Sequence, residues 1–296
     1  MEGAHAALPI EISIIVVTYN SAGCINPFLK SLRQYPPTRP WELIVSDNAS
    51  SDGGPQEISG RFPAGRLIAS CVNRGFATAV NEAARMAKGK YYLLANPDVS
   101  WEGPVIDHLR AFLDSHPRAA AVCPRLIYPD GRPQPSTRRF PIHSNIWFSR
   151  QSPLGHIAQS GTRSTTYTLA DPQQPSPVEA AAATFLLVRA PAFHEVGGMD
   201  SRYFLYVEDT DLCRRWHDAG WEVWIDPFVA VTHAWASRMS VNRSLRRHHR
   251  EGIRRYFRTH YPNQRVRNAI VFGALGLSGV LDAVFGRWRQ RGARLP

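Results

Sequence analysis

The chain is short of the features that usually mark a protein as secreted, redox-active or metal-clustered. Its four cysteines, Cys24, Cys71, Cys123 and Cys213, stand far apart and form no CxxC pair. That excludes a disulfide scaffold and a cysteine zinc site, and it fits a reducing compartment. The common phosphate cradles are also missing. There is no GxGxxG, and Gly60–Leu67 has the glycine spacing of a P-loop without its Lys-Ser/Thr pair. A nucleotide bound here needs another way to neutralise its diphosphate, and a divalent cation held by carboxylates is the expected one. The N-terminus, MEGAHAALPIE, has no basic stretch and no long apolar stretch, so no signal peptide is expected. No internal repeat or low-complexity tract occurs.

What is present is a globular composition, with 44% apolar and 20% charged residues across 296 positions. This excludes a disordered or fibrous chain and allows a sizeable core. The net charge of +11 is uneven. From Arg238 to Pro296 there are 14 arginines against Glu251 and Asp282, a balance of +12, while residues 1–237 balance at −1. The basic character belongs to the C-terminal region, which nucleic acid or an anionic membrane would attract.

Along the chain, short β-branched or apolar runs alternate with helical spacing. Ser13–Thr18, Glu42–Ser46, Leu67–Cys71, Tyr91–Ala95 and Ala119–Cys123 read as strands. Cys24–Gln34, Gly75–Lys88 and Ile106–His116 read as helices. The pattern predicts an α/β domain with a mainly parallel sheet and helices on both faces. Ligands then bind beyond the carboxyl ends of the strands, where Thr18–Asn20, Asp47–Asp52 and Asn96–Asp98 all fall. Pro129–Pro177 is rich in Pro, Ser, Thr, Gln and Arg and reads as long loops of the kind used as lids and binding loops. A helix is expected over Tyr206–Gly220 and a strand over Glu222–Ile225. His248-His249 read as surface of the basic region.

Six segments, in this order and spacing, resemble the family 2 glycosyltransferases of GT-A (Rossmann-like) fold, and in particular their rhamnosyltransferase-like members. They are SIIVVTYNS (13–21), IVSDNASSDG (44–53), NRGFATAVNEA (73–83), LLANPDV (93–99), GGMDSRYFLYVEDTDLCRRWHDAGW (197–221) and VTHAWAS (231–237). The resemblance implies a catalytic domain over 10–237, with a nucleotide-sugar half at about 10–125 and an acceptor half at about 126–237. A basic, partly apolar helical region follows over 238–296. It further implies donor binding by Thr18, Tyr19, Asn20, Asp47, Asn48, Asn73, Phe76, Asn81 and Asn96. Asn96-Pro97-Asp98 occupies the family's DxD position with its first Asp replaced, which leaves Asp98, joined by His233, to hold Mg²⁺ or Mn²⁺. Asp209 is implied as the general base of an inverting transferase, with Glu208 beside it as positioner or second candidate. Taken alone, Glu208-Asp209-Thr210-Asp211 is also a good acidic first turn for a helix. Asp211 and Arg215 are expected to pair locally, and Trp235 lies close enough in sequence to His233 to touch the sugar.

The expected activity is sugar transfer, with dTDP-L-rhamnose as best donor, to a glycan or lipid-linked glycan hydroxyl in cell-surface polysaccharide assembly. The run 269–286 is 18 residues long with Asp282 and four glycines, short of the ~20 apolar residues of a spanning helix. It fits an interfacial helix on an anionic leaflet, which makes the protein cytoplasmic and peripheral on the inner face of the plasma membrane. The alternatives are a sugar-nucleotide-binding protein without activity and a nucleic-acid-binding protein. The arginine-rich region lacks the interleaved aromatics of a single-strand platform, so no nucleic-acid partner is expected.

Overall fold

The computed structural model describes residues 9–144, 172–234 and 243–292. Trp235 and most of the long-loop region fall outside these residues.

The N-terminal part alternates as the hydrophobic pattern requires. It runs β1 (Ile12–Thr18), α1 (Asn26–Gln34), β2 (Trp41–Asp47), α2 (Gly54–Arg61), β3 (Arg66–Ala69), α3 (Phe76–Met86) and β4 (Tyr91–Ala95). Then come β5 (Val99–Trp101), α4 (Val105–Ser115), β6 (Ala119–Ile127), β7 (Pro133–Gln134) and β8 (Thr137–Arg138). The rest is β9 (Ser176–Val178), β10 (Ala180–Ala181), β11 (Phe185–Arg189), α5 (Ala190–Glu195), α6 (Glu208–Asp218), β12 (Glu222–His233), α7 (Arg243–His260) and α8 (Arg265–Gly292).

The sheet has the order β3-β2-β1-β4-β11-β6-β12-β5. From β3 to β4 every pairing is parallel. Beyond β4 it is mixed: β11 runs antiparallel to β4 and β6, β12 runs parallel to β6, and β5 runs antiparallel to β12. Successive side chains of a strand point to opposite faces, so each strand feeds two cores. Ile12, Ile14 and Val16 join Phe28, Leu32, Leu109 and Leu113 on one face. Ile15, Tyr92 and Leu94 join Val80, Ala83, Phe193 and Trp216 on the other.

Two expectations change. The strand expected to stop at Ile225 continues to His233, because β12 absorbs Pro227 in a register shift between Asp226 and Ala230, a bulge of the kind that admits proline in a sheet. In the C-terminal region, whose two histidines were expected at the surface, α7 packs on the body. Ile253, Tyr256 and Phe257 of α7, spaced three and four apart, bury against Tyr203, Val207 and Val271. His248 and His249 are accordingly not free surface: His248 stacks on Phe204 at 4.4 Å, and His249 packs near Tyr206 with its Nδ1 buried. Among the described residues no helix is long and apolar enough to cross a membrane.

Candidate functional site

Parallel pairing aligns the strand ends. Thr18 sits in register with Asp47, and the buried Thr18 Oγ1 donates to Asp47 Oδ1 at 2.7 Å. Asp47 also accepts from Ser50, at Oδ2 from the backbone N–H (2.9 Å) and at Oδ1 from the hydroxyl (2.5 Å). The next loop is tied to the first: Asn20 N donates to Ser50 Oγ and Ser51 N donates to Asn20 Oδ1, both at 2.9 Å. Asn20 and Ala49 both have positive φ, which bends the two loops together. Tyr19 is exposed beside them. Thr18, Tyr19, Asn20, Asp47 and Asn48 therefore form one linked cluster at the carboxyl edge of the sheet.

The segment 73–81 is engaged mainly with backbone. Asn73 Oδ1 accepts from Gly75 N at 3.0 Å, and Asn48 Nδ2 donates to Gly75 O at 3.2 Å. Phe76 N donates to Phe204 O at 2.9 Å. Gly75 has φ +85, and a Cβ there would meet Phe204 O at 2.3 Å, so only glycine permits this approach. Asn81 Nδ2 donates to Met199 O (2.6 Å) and its Oδ1 accepts from Met199 N (2.9 Å). Asn73, Phe76 and Asn81 thus brace the loop that leads into α6.

The pairing of β12 with β5 sets His233 opposite Val99, next to Asp98, and Ala234 N donates to Asp98 O at 2.9 Å. His233 Nε2 lies 3.2 Å from Asp98 Oδ1, and His233 Nδ1 lies 2.9 Å from Gln134 Oε1. Asn96 leads into this turn, its backbone N–H bonded to Thr184 O. The carboxylate and the imidazole could hold a divalent cation between them. Among the described residues no group of three or more His, Cys, Asp or Glu is placed to do so. Two protein ligands match the way Mg²⁺-type cations are held, with few side chains and the remainder of the shell from phosphates and water.

The second centre is the start of α6. Tyr206 and Val207 have φ +70 and +74, a conformation costing roughly 1–3 kcal/mol per residue and unusual above all for a β-branched side chain. α7 holds it in place: Val207 is buried in the α7–α8 cluster, and a Cβ on Gly252 would lie 2.8 Å from Tyr206 O. The strained turn presents Glu208 and Asp209. Arg138 Nη2 donates to Asp209 Oδ2 at 2.9 Å, Thr210 N donates to Oδ1 at 2.7 Å, and Ala183 N approaches Oδ2 at 3.4 Å. The small β8–β10 ribbon carries Arg138 there. Glu208 is buried with Oε2 unpartnered. Burial, with the charge of Asp209, pushes its carboxyl up to about 8. Burial and Arg138 push His249 down to about 4. Asp211 is not part of this opening: it accepts from Arg215 Nε (2.8 Å) and pairs with His260 of α7 (2.8 Å).

Sequence reasoning missed Gln134, Arg138, His249 and His260. The first two lie in the Pro-rich stretch marked as binding loops, so composition gave the region but not the residues. The histidines gave no signal beyond their place on an arginine-rich helix.

The family model "Glycosyl transferase family 2" matches residues 13–170. A Mycobacterium tuberculosis (strain CDC 1551 / Oshkosh) protein, N-acetylglucosaminyl-diphospho-decaprenol L-rhamnosyltransferase, is 35% identical over 235 residues, covering 75% of this chain and 75% of the relative. Rhamnosyltransferase WbbL of Escherichia coli (strain K12) is 27% identical over 230 residues, covering 75% and 83%. Among solved structures, mannosyltransferase PcManGT from Pyrobaculum calidifontis, in complex with GDP-Man and Mn²⁺, superposes with a TM-score of 0.58 at 16% identity, over 94% of this chain and 76% of that one. GalNAc-T7 with UDP, GalNAc and Mn²⁺ gives 0.54 at 13% identity, over 77% and 44%. At these identities the structural likeness is one of fold, the GT-A arrangement.

Proposed function

The chain belongs to glycosyl transferase family 2, and we propose that it moves L-rhamnose from dTDP-L-rhamnose to a hydroxyl of a lipid-linked glycan, with inversion at the anomeric carbon and with Mg²⁺ or Mn²⁺ bound. The acceptor reading is supported by the relative named for a diphospho-decaprenol-linked N-acetylglucosamine. The exposed apolar residues of α8, Val266, Ile270, Leu277 and Val280, and the arginines of the C-terminal region support a peripheral position at an anionic cytoplasmic leaflet.

The roles follow from the residues. Thr18, Tyr19, Asn20, Asp47 and Asn48 take the nucleoside, with Tyr19 exposed to stack on the base. Asp98 and His233 hold the cation, with Asn96 beside them at the diphosphate. A cation there supplies positive charge against the departing nucleoside diphosphate. Asp209 takes the acceptor proton as the new C–O bond forms, so the hydroxyl attacks as an alkoxide-like nucleophile and no covalent sugar–enzyme bond is needed. Arg138 keeps Asp209 aimed through its 2.9 Å hydrogen bond to Oδ2. Glu208, with its carboxyl pushed up to about 8 by burial and by Asp209, is largely protonated at neutral pH.

The observation that carries the reading is the approach of Asp98 Oδ1 and His233 Nε2 to 3.2 Å at a strand-end turn in a chain with no P-loop lysine. Thermal shift with a panel of nucleotide sugars, with and without Mn²⁺, tests it. A shift that requires both dTDP-rhamnose and metal supports donor and cation together. A metal-independent shift, or one with another sugar nucleotide alone, removes the corresponding part.

A further inference from the structure

Gln134 lies in a two-residue strand, on the far side of β6 from β12. It pairs with Leu126, and Leu126 in turn pairs with Val231, two residues before His233. From there its side chain reaches the imidazole: Oε1 stands 2.9 Å from Nδ1, and both residues are about 7% exposed. They are 99 residues apart in sequence, and the contact exists only because β7 folds back on β6.

A neutral imidazole has one donor nitrogen and one acceptor nitrogen, and the partner of one decides the state of the other. With Gln134 Oε1 accepting from Nδ1–H, Nε2 carries a lone pair. In the neutral ring that nitrogen stands 3.2 Å from Asp98 Oδ1 as an acceptor, a pairing that a cation between the two would complete, whereas a protonated ring would donate to Asp98 there. The reverse amide orientation, with Gln134 donating to Nδ1, would put the proton on Nε2. His233 would then donate to Asp98 and close the site. The two arrangements share the same heavy-atom positions and differ completely in what they can bind.

We propose that Gln134 is a positioning residue that holds the His233 proton on Nδ1, so that Nε2 and Asp98 present a matched pair of donors to the divalent cation. The proposal rests on the metal-assisted reading above. It extends that reading to a residue that touches neither sugar nor phosphate and acts through the ring. Partners of metal-ligating histidines typically contribute ~10–100-fold in metal affinity. Glutamine is uncharged, so it sets the tautomer without adding a second negative charge behind the ring.

The test has two arms on the full-length protein. The first is ¹⁵N NMR of the histidine side chains in metal-free wild type, with His233→Gln to assign the signal. The expected result is the Nδ1–H form of His233; finding the Nε2–H form overturns the proposal whatever the sugar specificity proves to be. The second is Mn²⁺ titration by EPR in the presence of dTDP or UDP. Gln134→Leu should weaken Mn²⁺ about 10–100-fold, while Gln134→Glu, which still accepts from Nδ1–H, should retain it. Equal affinity in wild type and Gln134→Leu, with the melting temperature unchanged, also overturns it. If Gln134→Leu fails to fold, the spectrum of wild type and the Gln134→Glu titration still decide. Loss of Mn²⁺ affinity in His233→Gln is expected too; if that loss is absent, the metal reading fails separately from the role of Gln134.

Discussion

Asp98 lies in the turn between β4 and β5, Asp209 in the first turn of α6, and their surroundings are opposite. Asp209 is met by donors the protein supplies: Arg138, the Thr210 amide and the Ala183 amide. Asp98 is met by a histidine nitrogen 3.2 Å away that is itself an acceptor when its other nitrogen bonds Gln134. A carboxylate ringed by donors is complete without ligand and can serve as a fixed base. A carboxylate facing a lone pair is incomplete and is finished by something that arrives. In the proposed reaction the acceptor side would be preassembled, whereas the donor side would be assembled around diphosphate and cation.

The comparison predicts its largest effect at Asp98. Asp98→Ala should abolish metal-dependent donor binding and cut transfer by about 10³ or more, since charge stabilisation by a metal is worth several kcal/mol and each 1.36 kcal/mol is tenfold. The fold should be little affected, because the His233 ring beside the Asp98 side chain keeps its contact with Gln134. Titration calorimetry of dTDP with Mn²⁺ reads it, and wild-type affinity in the variant would remove Asp98 from the site.

Asp209→Asn should lower transfer by about 10²–10⁴ and leave donor binding nearly unchanged. Single-turnover rates with donor affinity measured in parallel separate the two, and activity within a few-fold of wild type would shift the role to Glu208. The donor ring around Asp209 adds a contrast. Arg138→Leu should cost stability, of order 3 kcal/mol, where Asp98→Ala costs little, because it strands a charge that the fold had paired. Equal melting temperatures for the two variants would break the distinction drawn here.

The strand-end clusters were legible because pattern and turn residues both end β1, β2 and β4 where the polar residues begin. Strand pairing across the antiparallel half was not. Nothing local in PVEAAAATFLLVR says that β11 inserts between β4 and β6, or that β12 runs past Pro227 to deliver His233. Gln134 and Arg138 were hidden for the same reason, since their meaning lies in contacts 99 and 71 residues away. The docking of α7 was written in Ile253, Tyr256 and Phe257, but the arginines between them dominate the local pattern. A cut at Arg267 would remove Asn268 and Val271, which hold α7 through Phe257 O, Tyr261 O and the buried cluster.

A smaller effect concerns the neutral member of the acidic pair. Glu208 has its carboxyl raised to about 8 by burial and by Asp209, against 4.5 for an ordinary glutamate. Below pH 4.5 folded and unfolded chains both carry it protonated. As pH rises from there towards 8 only the unfolded chain ionises, so stability is progressively lost. Glu208→Gln removes this dependence. The melting temperature of the variant relative to wild type should therefore rise across that window and level off above it. A difference independent of pH would mean that Glu208 is ionised in the folded protein.

The smallest expected effect lies at the surface, where the membrane reading stands or falls. On α8, Val266, Ile270, Leu277 and Val280 are all exposed. Their spacings of four, seven and three put them on one helix face. Beside that face Arg258 and Arg265 flank a notch of about 310 Å³ lined by Pro262, Asn268, Ala269 and Phe272. An apolar stripe next to two arginines suits the boundary between acyl chains and anionic headgroups. Each arginine near such a surface is worth about 1 kcal/mol, so Arg265→Gln should weaken binding to phosphatidylglycerol vesicles about fivefold, and Arg258→Gln,Arg265→Gln by roughly 30-fold. Neither change should touch the turnover of a soluble acceptor, since neither residue contacts the loops at Asp98 or Asp209. Vesicle sedimentation at 0.1 M salt measures it, with phosphatidylcholine vesicles as the neutral control. Binding that is equal on neutral and anionic vesicles, or unchanged in the double variant, would leave the stripe without a charge-guided role. The exposed face of α8 would then need a partner other than a lipid surface.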